Sequence, residues 1–193
     1  MSHQSTLQSV DIKSMHEDYT NRVSSKSACI SLETSIFLWN LCDALQPKIA
    51  VDTGSGFSSY ILRKWSTNKN CSVYSFDDNA FWLNKSVEYC ALNNVSIQNF
   101  LLWQDVSQDI TNVDILIHDL GNMTLRANTL EKVYDMMSKN GTIVLDDLHK
   151  NQYFQESTRF FNSKGHSILE IKETYDSFGR FVGIVSLNGA IAK

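Results

Sequence analysis

The sequence predicts an α/β fold, a doubly wound and mostly parallel sheet that closes with an antiparallel pair. Three observations predict it. Short apolar runs alternate with helical stretches along most of the 193 residues, the pattern of a sheet covered on both faces. Four of those runs end in an acid or lead straight into one, at Asp52, Asp77, Asp119 and Asp146-Asp147. The last part of the chain abandons the alternation for two strands around a polar link.

The elements follow in order. The first 28 residues are rich in Ser, His, Gln and charge, and read as an N-terminal arm or a capping helix. Residues 29–193 read as one domain, since domains usually run about 100–200 residues. Ile36, Phe37, Trp39, Leu41 and Leu45 mark an amphipathic helix over 32–45. Lys48-Ile49-Ala50-Val51 is a short strand that runs into Asp52-Thr53-Gly54-Ser55-Gly56, and 58–65 is the next helix. A strand over 72–76, a helix over 81–92 and a strand over 97–103 continue the alternation. The apolar run 113–118 is a strand ending at Asp119. Residues 129–137 read as a helix stopped by Asn140-Gly141, followed by a strand over 142–145 and a helix over 152–161. Strands over 166–174 and 181–187 flank Tyr175-Asp176-Ser177-Phe178-Gly179-Arg180, a hairpin-like link.

Composition excludes several classes. Hydrophobic residues make up 42% of the chain, enough for a core. A net charge of −4 is wrong for a general binder of nucleic acid or an anionic membrane. Cys29, Cys42, Cys71 and Cys90 lack zinc-site or disulfide-scaffold spacing and read as free thiols. The polar N-terminus shows no secretory signal, and no run of about 18 apolar residues marks a membrane span. The expectation is a soluble, cytoplasmic protein.

In open α/β sheets, ligands bind beyond the carboxyl ends of the strands, where the acids gather. Between Asp105 and Asp147 eight acids (Asp109 among them) face three bases, a net −5. Such a cleft attracts a cation, either a metal or a positively charged cofactor. The turn matches G-x-G at Gly54 and Gly56, but Ser59 stands at the third place of the dinucleotide fingerprint. Asp52, two residues before Gly54, is ill suited to a pyrophosphate. It suits a ligand with an ammonium or sulfonium and no phosphate, such as S-adenosylmethionine. Gly54, Ser55, Gly56 and Ser58 would then line the cofactor. Asp77, 21 residues after Gly56, is placed to accept from both ribose hydroxyls. Asp78 stands beside it, and Trp82 is either an aromatic surface for the nucleoside or helix-to-sheet packing. Gln104 and Asp105 are placed to meet the adenine edge. Asn122 is a substrate-contact candidate.

Together these motifs resemble class I S-adenosylmethionine-dependent methyltransferases. VDTGSGFSS resembles the family's first motif, and VYSFDDNAFW the second strand with its ribose-binding acid. VDILIHD and GTIVLDD resemble the fourth and fifth strands. The resemblance runs from about Leu32 to Leu187. It implies a Rossmann-like sheet of seven strands and methyl transfer to a nucleophilic atom. Asp119, Asp146 and Asp147 resemble the divalent-metal site of catechol-type and macrocin-type O-methyltransferases. The Asp-Asp register is the macrocin-like one, since Leu148 follows Asp147. Mg²⁺ there would lower the pKa of an acceptor hydroxyl. The alternatives are that these acids cap the next helix or hold the cofactor's ammonium.

His149 and Lys150 follow the acid pair, and His149 is the candidate general base of a metal-free mechanism. Asp119 is a candidate for cofactor, metal and catalysis alike. The leading expectation is O-methylation of a small molecule. Two other readings stay open: a catalytically inactive methyltransferase-like partner protein and an NAD-dependent oxidoreductase. Against the latter stand Asp52, the missing third small residue of the fingerprint and the absence of an evident Tyr-x-x-x-Lys pair in a suitable helix. A small fold without a lid also makes a homodimer an expected assembly.

Overall fold

The computed structural model describes residues 2–106 and 110–188, with side chains from residue 11 onward. Asp109 lies outside the described residues. The central sheet has seven strands in the order β3-β2-β1-β4-β5-β7-β6. β1 (Ile49–Thr53), β2 (Ser72–Asp77), β3 (Phe100–Leu102), β4 (Val113–His118) and β5 (Met137–Leu145) are parallel. β6 (Leu169–Glu170) and β7 (Gly183–Ser186) complete it, with β7 antiparallel to both β5 and β6. The chain builds outward from β1 to β3, then returns to lay β4 on the other side of β1. That reversal opens a crevice at the carboxyl ends of β1 and β4.

Central strands buried on both faces need apolar residues at every position, not alternate ones. β4 shows this, with Val113, Ile115, Leu116 and Ile117 all fully buried. One face packs Leu38, Ile61 and Cys90 from α2 (Leu32–Leu45), α3 (Phe57–Ser66) and α4 (Ala80–Leu92). The other packs Val133 of α6 (Leu130–Met136) with Tyr153 and Phe161 of α7 (Asn151–Ser163).

The N-terminal segment is a helix, α1 (Ser2–Arg22). It docks through Tyr19, whose ring lies 5.2 Å from Phe57 and 4.8 Å from Tyr89. His16 adds a bond to the Ile30 carbonyl at 2.9 Å. No described helix is long and apolar enough to cross a membrane.

Three expected elements differ. The strand expected over 97–103 shrinks to Phe100–Leu102, because Asn99 takes a left-handed φ of 60° just before it. The helix expected over 129–137 forms as α6, and an additional short helix, α5 (Met123–Asn128), meets it at Thr129. Asn140-Gly141 stops no helix and lies inside β5, where a Cβ on Gly141 would come within 2.7 Å of the Val113 carbonyl. The strand expected over 166–174 pairs only at Leu169–Glu170, and Lys172–Thr174 coils into a 3-10 turn.

Candidate active site

The sheet hydrogen bonding continues one step beyond the strands and sets the rim in place. Gly54 N–H donates to the Phe76 carbonyl, Asp119 N–H to that of Thr53, and Asp146 N–H to that of His118. The acids after β4 and β5 are thereby fixed beside the turn that follows β1. The turn passes so close to β4 that a Cβ on Gly54 would lie 2.3 Å from the Asp119 carbonyl oxygen. With φ at +101°, this position is one for glycine alone.

A cavity of about 430 Å³ opens at this rim, within the size range of small-molecule sites. Gly54, Ser55, Gly56, Ser58, Asp77 and Asp78 line one end of it, and Asp119, Asp146 and Asp147 also face it. Asp77 is buried and accepts from Ser55 Oγ at 2.7 Å and from Asn79 N–H at 2.8 Å. Burial raises its pKa despite those bonds. Trp82 also lines the cavity and is 38% exposed, so it is available as an aromatic surface.

Asp52 sits beneath the turn and not on the cavity wall. It is 0% exposed, and its Oδ2 accepts from Ser58 and Ser59. Ser59, at the place of the fingerprint's third small residue, therefore holds an acid. Oδ1 of Asp52 has no partner among the described residues. Gln104 and Asp105 occupy an exposed 3-10 turn after β3 and do not line the cavity. Asn122 caps α5 by accepting from Leu125 N–H.

Burial pushes the Asp52 carboxyl up to about 7. An acid held above its unfolded value of about 3.9 binds more protons folded than unfolded. Asp52 therefore weakens the fold as pH rises from about 4 to about 7, then by a constant amount. Buried His118, lowered to about 3 by desolvation, acts with the opposite sign at acid pH. A difference measurement removes it. Asp52→Asn should gain stability relative to wild type as pH rises from 4 to 7, by up to about 4 kcal/mol. Denaturant melts at pH 4, 5.5, 7 and 8.5 test this. A pH-independent difference would count against it.

Asp119, Asp146 and Asp147 each present an oxygen within 4.8 Å of the others. Asp147 adopts φ +58°, a conformation Asp tolerates better than most residues. Burial raises Asp119, with Arg126 lowering it and the neighbouring acids adding to the rise. Sequence reasoning missed Arg126. This α5 residue is 3% exposed, and its Nη2 lies 2.6 Å from Asp119 Oδ1. Its Nη1 lies 3.4 Å from Asp147 Oδ2. The signal was there, as Arg126 is one of the three bases in the acidic segment. The oxygens suit a hard divalent ion, but the guanidinium already binds two of the three acids. A divalent ion would have to share Asp119 and Asp147 with that guanidinium, and the like charges repel. The residues as arranged do not fit the metal.

His149 is half-buried behind Asp147, with Nδ1 3.5 Å from Asp147 Oδ1. Burial lowers its pKa in spite of that carboxylate, so it is neutral at pH 7 and can take a proton. Lys150 is exposed, immediately before α7, and does not line the cavity.

The cavity is also lined by the segment after α1, including Ser24, Ser27 and Cys29. Arg180, just before β7, clasps it by donating to the carbonyls of Lys26, Ser27 and Cys29 at 2.9–3.2 Å. Asp176 holds Arg180 in turn, at 2.7 Å. Among the described residues, Arg126 and Arg180 are the basic side chains on the lining, and both are committed to the protein's own carboxylates. A diphosphate would find no free cation there. A cationic nucleoside finds the Asp77 carboxylate and a glycine turn, so S-adenosylmethionine fits.

No family model matches the chain, and no curated protein sequence does. Solved structures do match in fold. SAH-bound PaMTH1, a methyltransferase of Podospora anserina, superposes with a TM-score of 0.65 at 13% identity, over 90% of this chain and 86% of its own. The O-methyltransferase TomG of Streptomyces achromogenes, in complex with SAM, gives 0.64 at 10% identity, over 97% and 90%. An O-methyltransferase of Bacillus cereus, in complex with SAH, gives 0.62 at 10% identity, over 96% and 92%. With its strand order, terminal antiparallel pair and rim cavity, the chain has the Rossmann-like fold of S-adenosylmethionine-dependent methyltransferases.

Proposed function

We propose that the protein transfers a methyl group from S-adenosylmethionine to an oxygen of a small molecule. One observation carries the reading. A single cavity joins the Gly54–Gly56 turn and Asp77, which suit a nucleoside, to Asp119 and Asp147, which suit a proton-transfer centre. The O-methyltransferase neighbours support oxygen as the acceptor.

The cofactor supplies an activated methyl, so the protein does little covalent work. Asp77 holds the ribose end by accepting hydrogen bonds. The glycine turn lets the backbone approach the cofactor closely. The clasped segment from Ser24 to Cys29 forms part of the cavity wall and reduces the water beside the cofactor. Asp147 faces the cavity and takes the acceptor's hydroxyl proton on a carboxylate oxygen. His149 Nδ1, 3.5 Å from Asp147 Oδ1 and without a hydrogen-bond partner among the described residues, is the next acceptor for that proton.

Calorimetry tests the reading with the demethylated cofactor, S-adenosylhomocysteine, and with NAD. The expected result is a dissociation constant near micromolar for the first and no heat for the second. Binding of NAD with S-adenosylhomocysteine silent would overturn the proposal in favour of a dinucleotide enzyme.

A further inference from the structure

We infer that Arg126 is the resident cation of the Asp119–Asp146–Asp147 cluster, and that this cluster works without a divalent metal. The inference deepens the reading above. It rests on the two Nη atoms of the guanidinium, which bind both strand ends, while Nε has no partner among the described residues. Nη2 binds the Asp119 carboxylate and the carbonyls of Asp119 and Gly121. Nη1 binds the Asp147 carboxylate and the Asp146 carbonyl. One side chain thus ties the end of β4, the loop after it and the end of β5. A planar, always-charged fork is suited to this, where a lysine point charge is not.

The arginine is also supported from behind. Thr129 Oγ1 donates its one proton to backbone carbonyls of α5. His118 bridges Thr129 Oγ1 through Nε2 at 2.9 Å and the Tyr153 hydroxyl through Nδ1 at 2.7 Å. That fixes the Tyr153 ring, 5.5 Å below the Arg126 guanidinium. A side chain braced by packing and hydrogen bonds does not swing away cheaply to admit an ion. Arg126 is therefore a positioning residue: it sets the separation of Asp119 and Asp147 and supplies the positive charge the acids require.

Mn²⁺ titration followed by electron paramagnetic resonance tests this with no cofactor present. Wild type should leave the free-ion signal unchanged up to about millimolar Mn²⁺. Arg126→Gln should bind Mn²⁺ at least tenfold more tightly than wild type, and the double variant with Asp146→Asn should lose that gain. Wild type taking up one equivalent of Mn²⁺ that Asp146→Asn abolishes would overturn the inference. So would a folded Arg126→Gln that binds no better than wild type. If circular dichroism shows Arg126→Gln unfolded, Arg126→Met replaces it: a side chain of similar length without the charge should bind more Mn²⁺ than wild type, and no gain counts against the proposal. Cofactor calorimetry is a separate readout, so either reading can fail alone.

Discussion

Asp77→Asn is expected to weaken S-adenosylhomocysteine binding about 1,000-fold while the fold melts near its wild-type temperature. Hydrogen bonds to a charged acceptor contribute about 1.5–3 kcal/mol each. Two of them to a ribose diol come to about 4 kcal/mol, which is three orders of magnitude in affinity. The carboxylate is already aligned by Ser55 Oγ and Asn79 N–H, so no rotamer freedom is lost when a ligand arrives. The amide keeps the shape and removes the charge. Calorimetry against wild type measures the change, and circular dichroism confirms the fold. Affinity within fivefold of wild type would mean that Asp77 does not meet the nucleoside, and the glycine turn would need another ligand.

Gly54→Ala should be the most damaging of the small substitutions. Its new methyl would sit 2.3 Å from the Asp119 carbonyl oxygen and 2.7 Å from the carbonyl carbon. Both are backbone atoms, and Asp119 N–H is itself bonded to Thr53, so neither side yields easily. Strain at φ +101° adds to the clash. Together they cost roughly 3–5 kcal/mol, which lowers the melting temperature by roughly 10 °C in a chain of this size. Gly179 is the control. It has φ +74° but nothing within 4 Å of an added Cβ, so Gly179→Ala isolates the backbone term at about 1 kcal/mol. Calorimetric melts of both variants separate the two causes. Equal melting temperatures for the two would remove the close approach from the account.

The parts of the fold legible in the sequence are those where burial is one-sided in its demands. β4 had to be apolar at nearly every position, and its bounds follow from that. The rim acids were legible because strand ends are where a parallel sheet presents its ligands. What was not legible depends on contacts distant in sequence. Gly141 looks like a helix stop, but its smallness serves the Val113 carbonyl across the sheet. Arg126 reads in the sequence only as one of three bases in an acidic segment, yet the ends of β4 and β5 and the loop after β4 are tied to it. Asp52 has the sequence position of a ligand contact, but Ser58 and Ser59 turn its carboxylate inward.

The Arg180 clasp joins residues about 150 positions apart in the chain. During synthesis α1 and the segment behind it emerge about 150 residues before their fastening. A ribosome-bound chain can therefore assemble its central strands while this part of the pocket wall is still unlatched. The clasp forms only once the hairpin of β6 and β7 has emerged, so a chain cut before Arg180 would leave the segment after α1 unfastened.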